Sequence, residues 1–109
     1  MFDRINEPDW KIFKPLRELA LERYCERALA EVARIGADGA KSHHQRYVET
    51  YRLLEERDKE LGRVFDYLRR STALAQIAAF RSLALITDEE FTRFSQETRD
   101  IVDFILKPR

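Results

Sequence analysis

Apolar positions along the chain recur at steps of three and four, and almost nowhere in the alternation that marks a half-buried strand. The first such run is Leu21, Cys25, Ala28, Val32 and Ile35, one face of a helix that Tyr24 and Leu29 widen. Ahead of it, in NEPDW, Asn6 or Asp9 can accept from the free amides of a first turn. Pro8 is tolerated there because its missing donor is not needed. Pro15 predicts either a kink or a short helix up to Phe13 followed by the main one, since an interior proline removes a bond and crowds a carbonyl. Gly36, opening the only clear turn sequence (GADG), is expected to supply a left-handed stop.

A second stripe reads Tyr47, Tyr51, Leu54, Asp58, Leu61, Phe65, Leu68, Thr72, Ala75 and Ala79. Its alternating steps of four and three make a 3.5-residue repeat, the mark of coiled-coil-like packing. No proline falls between Pro15 and Pro108, so one helix from His43 to Ile86 would run about 65 Å at about 1.5 Å per residue. A chain that folds back favours instead a break near RRST, with Ser71 or Thr72 capping a third helix. Residues 73–86 differ from the rest: only Gln76, Arg81 and Ser82 are strongly polar, and a helix apolar all round is buried all round. A chain this small is not expected to cover it alone, so a second copy is expected over the remainder. Thr87 with Glu90 forms a capping box, Phe91 and Phe94 point inward, and Ser95 opens a last helix carrying Ile101, Val102, Phe104 and Ile105. The pattern predicts an all-α helical bundle, one domain over 1–109. Its frame is a long antiparallel helical hairpin, and a short C-terminal helical pair wraps the third helix.

Composition sharpens this picture. Charged residues make up 37% of the chain, against about 25% in ordinary domains. With three Gly and three Pro, that implies long helices with charged outer faces. Oppositely charged residues stand three or four apart on the second helix: Arg46 with Glu49, Arg52 with Glu56, Glu55 with Lys59, Glu60 with Arg63, Asp66 with Arg70. Lys plus Arg (20) equals Asp plus Glu (20), so no net field draws in nucleic acid or anionic lipid. The charge-mixed opening MFDRINEPDW does not read as a secretory signal, and the most apolar run is shorter than the about 20 residues of a bilayer span. A cytoplasmic protein is expected, with no membrane partner.

Candidate chemistry is sparse. His43 and His44 follow Ser42, which with Gln45 fits a capping box. In a first helical turn they lie about 100° apart, too far round to share one metal ion, and no Asp, Glu or Cys completes a local set. They remain the candidate binding end. Arg69 and Arg70 are the basic doublet a nucleic acid would use. A DNA-reading helix-turn-helix is rejected on two grounds: no glycine stands at Ser82 or Leu83 to make the turn, and Asp88, Glu89 and Glu90 would repel phosphates. Asp58, the one carboxylate on the second stripe, and Ala75 and Ala79 are candidates for setting register between packed helices. The single Cys25 is expected to be a buried, inert thiol. No catalytic constellation, metal set or cofactor motif is read. The expectation is a non-enzymatic protein–protein interaction module of adaptor or regulatory kind, self-associating as a homodimer through the Ala-rich segment or the coiled-coil-like stripe of the second helix. The alternatives are a small-molecule or metal-binding bundle using His43 and His44, or a nucleic-acid-associated factor using Arg69 and Arg70.

Overall fold

The computed structural model describes residues 4–108; the first three residues of the opening segment and Arg109 lie outside them. Every regular element among the described residues is helical: α1 (Glu7–Gly36), α2 (His43–Phe65), α3 (Ala73–Ser82), α4 (Asp88–Phe91) and α5 (Gln96–Leu106). Asn6 caps α1, accepting from the amide of Asp9. Ser42 with Gln45 and Thr87 with Glu90 form the two expected capping boxes, and Ser95 caps α5. These signals lie within four residues of sequence, so the chain carries them without help from tertiary structure.

α1 and α2 run antiparallel. The Tyr24 hydroxyl lies 2.8 Å from a Glu60 carboxylate oxygen and 3.0 Å from the carbonyl of Arg57, Arg57 forks onto Glu31, and Arg46 donates to the carbonyl of Gly36. On one side of this hairpin sits a head made of α3, α4 and α5, with α5 laid against α3. Its core contains a chain of rings: Trp10 on Phe13, Phe13 on Phe80, Phe80 on Phe65, and Phe65 edge-on to Tyr24, with centroids 5.2–6.0 Å apart. Asp9 pins the α5 end to the α1 end. It accepts from the Ser95 amide and hydroxyl, the Thr98 hydroxyl and the Asn6 amide. Burial alone would raise its pKa; these hydrogen bonds outweigh that and hold it below the usual carboxylate value.

Several expectations are corrected by packing. Pro15 lies on the exposed side of a continuous α1, so no separate short helix ends at Phe13. Gly36 takes no left-handed conformation; α1 ends through Ala37 in the right-handed region, and Arg46 satisfies the Gly36 carbonyl. The inward face of α1 is Phe13, Leu16, Ala20, Tyr24 and Ala28, so Leu21, Cys25, Val32 and Ile35 are only half-buried at its edge.

The long helix breaks as favoured, but over residues 66–72, and its devices differ from those expected. Tyr67 adopts φ 67°, and the buried Gln76 amide donates to the carbonyls of Asp66 and Tyr67. The Thr72 hydroxyl lies within reach of the Tyr67 and Arg69 carbonyls and makes no capping bond to α3. α3 itself stops at Ser82, not Ile86. Ala84 takes φ 54°, Leu85 donates to Phe80 and Ala84 to Arg81, a Schellman closure made without glycine. The turn whose absence counted against a helix-turn-helix is therefore present. The acidic opening of α4, Asp88, Glu89 and Glu90, is the argument against a phosphate-facing second helix that still stands.

None of the expected ion pairs along α2 forms; the described pairs mostly link elements. Arginines also close helix ends from a neighbouring element: Arg17 onto the Phe65 carbonyl, Arg27 onto Leu83 and Ala84, Arg23 onto Leu85. Finally, α3 is enclosed by its own chain. Only Ala75 and Ser82 on it are exposed and Ala79 and Arg81 half-buried, so residues 73–86 do not call for a second copy.

Candidate functional site

Beyond the head, the hairpin projects as an arm, and the molecule measures 52 × 27 × 23 Å. From Leu29 to Val64 no side chain is fully buried. Yet the arm is not polar throughout. Leu29, Tyr47, Tyr51 and Leu54 are 65, 72, 62 and 45% exposed, large for apolar side chains on a regular helix pair. Tyr51, Leu54 and Leu61 from α2 and Tyr24, Cys25, Ala28 and Leu29 from α1 line an open groove of about 690 Å³, with Glu55, Arg57 and Asp58 on its α2 side.

The groove lies on the side of the hairpin away from the head. Arg23 and Arg27 reach the end of α3, whereas Cys25 and Leu29, each two residues further on and so about 200° round the helix, line the groove. The 3.5-residue stripe on α2 thus meets α1 with its flank. Its lower part, Leu61 and Phe65, packs inward, and its upper part, Tyr47, Tyr51 and Leu54, faces solvent.

Electrostatics frame this face. Glu18, Glu22 and Glu26 lie along the outer edge of α1; Arg52, Lys59 and Arg63 lie along the outer edge of α2, interspersed with Glu55 and Glu56, and all are exposed. On the inner side, the Glu31 carboxyl is held below its usual pKa by its hydrogen bond from Arg57, and the Tyr24 phenol is raised by burial and by Glu60.

The sequence-predicted site residues are scattered. His43 and His44 stand exposed at the arm tip, in the first turn of α2. Arg69 lies in the loop after α2 with its guanidinium 5.2 Å from the centre of the Tyr67 ring. Arg70 is half-buried and structural, pairing with Glu7 at 2.9 Å and donating to the Ile5 carbonyl; Asp66, its expected partner, is not engaged. Asp58 lines the groove and is exposed, while Ala75 and Ala79 lie on the thin outer strip of α3, far along the chain from that groove. Cys25 is a half-buried lining residue, more accessible than the inert core thiol expected. Among the described residues no three His, Cys, Asp or Glu side chains cluster as a metal set. None of the described helices is long and apolar enough to cross a membrane. No protein-family model matches the chain, and no curated protein or solved structure matches it significantly.

Proposed function

We propose that this chain is a non-enzymatic interaction module that presents the groove face of its helical arm to another protein surface. The observation that carries this reading is the arm itself: a hairpin from Leu29 to Val64 without one fully buried side chain, yet with leucines and tyrosines aligned along one side. Isolated helices gain most of their stability from packing an apolar face, and that face is open. The groove is lined mainly by apolar side chains from two neighbouring helices, Tyr24 to Leu29 and Tyr51 to Leu61, a surface suited to a helix rather than to a compact polar substrate. A photo-crosslinking residue at Leu54, compared with one at the exposed head residue Arg93 in the native cell, tests the reading. Protein adducts should form at Leu54 well above those at Arg93; equal or absent adducts at Leu54 would remove the arm as a docking surface.

A further inference from the structure

Resting on that reading, we infer that the occupant of the groove is a second copy of this chain, paired so that α1 of each copy lies antiparallel on α2 of the other. Charge complementarity selects both the partner and its orientation. Within the hairpin Tyr24 stands level with Glu60, and Gly36 with Arg46. That register places Glu22 within one residue of the level of Arg63, and Glu26 within one residue of Lys59. A twofold axis running along the arms sets Glu22 and Glu26 on the outer edge of α1 beside Arg63 and Lys59 on the outer edge of the partner's α2, at matching heights. Glu55 and Glu56 of that mixed edge lie further toward the arm tip. Among the described residues Glu22, Glu26, Lys59 and Arg63 make no ion pair with one another or with any other side chain. The other twofold arrangement sets α1 against its own copy and acidic edge toward acidic edge, which charge disfavours.

Size and shape agree. Residues 18–36 run about 28 Å, and two helices are about 20 Å wide, so the flat footprint is on the order of 500 Å² per copy before side-chain relief is counted. A standard interface removes about 800 Å² of accessible surface per partner, the same scale. The heads lie on the outer sides of such a pair and do not obstruct it. A formal net charge of +0 leaves no overall repulsion between copies. The result is a four-helix bundle in which every neighbouring pair is antiparallel, with Leu29, Leu54 and Cys25 inside.

Sedimentation of the full chain from about 1 μM to about 200 μM, a range bracketing micromolar pairing, should show a species of twice 13.0 kDa. The paired variants Glu22→Lys/Glu26→Lys and Lys59→Glu/Arg63→Glu should each weaken pairing by about ten-fold or more, since attractions become repulsions at both symmetry-related edges. Mixed in equal amounts, the two variants should pair with each other. Circular dichroism checks that both keep the wild-type helicity; should either lose it, mixing Glu22→Lys alone with Arg63→Glu alone carries the same test. A wild type that stays monomeric, variants that pair as well as wild type, or a mixture that fails to pair each overturns the inference. Adducts from Leu54 to a different protein would then leave the docking reading standing without self-pairing, whereas no adducts at all would end both.

Discussion

Glu90 shows how one residue ties the head to α1 while closing the cap of its own helix. Its carboxylate receives both arms of the Arg23 guanidinium at 2.6 and 2.9 Å and closes the Thr87 capping box through the Thr87 amide. The Arg23 hydrogen bonds, opposed by burial, bring its pKa from 4.5 down to about 2. A group with a depressed folded pKa stabilises above its unfolded value, and that stability is lost as pH falls through the folded one. Glu90 therefore contributes roughly 3 kcal/mol at neutral pH, fading between about pH 4.5 and pH 2. Asp9, also lowered, acts in the same direction. Glu90→Gln, which keeps a capping side chain, should lose most of that stability at pH 7 and show a shallower fall on acidification in urea titrations. An equal fall in both proteins would remove Glu90 as a source of acid sensitivity. Two small residues give a second test. Gly36 is right-handed with nothing within 4 Å of an added Cβ, whereas Ala84 is left-handed. Gly36→Ala should stabilise by about 0.5–1 kcal/mol, and Ala84→Gly by a similar amount, through relief of left-handed strain. The residue types alone suggest the reverse pair of effects, so thermal melts of the two variants discriminate sharply.

At the scale of elements, the readable features were the ones encoded locally. The caps at Asn6, Ser42, Thr87 and Ser95 and the amphipathic spacing of α2 and α5 each depend on residues a turn apart. The arginine closures were not legible, because Arg17 meets Phe65, and Arg27 meets Leu83, only after the chain has folded back. The same holds for the break after Phe65. Gln76, which looks like a stray polar residue in an apolar helix, holds the carbonyls of residues 66 and 67. The spacing of the α2 stripe marks an apolar face, of which Leu61 and Phe65 pack inward while Tyr47, Tyr51 and Leu54 face solvent, because spacing reports that a face is apolar and not what covers it. Spacing alone places Cys25 and Leu29 only on the inward stripe of the first helix. Pro15 offers a clean element-level prediction. It sits exposed inside an unbroken helix, where the lost amide bond and ring crowding cost up to about 3 kcal/mol. Pro15→Ala should therefore raise the urea midpoint by an amount worth about 1–3 kcal/mol. A lowered midpoint would mean that the rigidity the ring gives this turn outweighs the lost amide bond.

The whole molecule divides its stability unevenly. In the head, Phe13, Phe80, Phe94, Ile77, Leu85 and Val102 are among the fully buried side chains, and the Asp9 and Glu90 networks cross-link its ends. The arm beyond Ala28 has no comparable core, and within the chain it is held by Glu31–Arg57, Lys41–Glu49, the Arg46 closure and half-buried contacts. Exposed ion pairs contribute little, typically about 0–1 kcal/mol each, so the arm should open locally far more readily than the head. Amide hydrogen exchange at low protein concentration should accordingly show weak protection over residues 30–50 and strong protection over 73–80. Pairing through the groove would bury the arm and couple its opening to dissociation. Protection in residues 30–50 should then rise with protein concentration by mass action, while protection in the head stays fixed until the two converge. Alkylation of Cys25 gives an independent reading of the same equilibrium, because the thiol lines the groove and should react more slowly as concentration rises. Protection and thiol reactivity that ignore concentration, in an arm already as slow to exchange as the head, would show that the hairpin is stable alone and that its apolar face needs no partner.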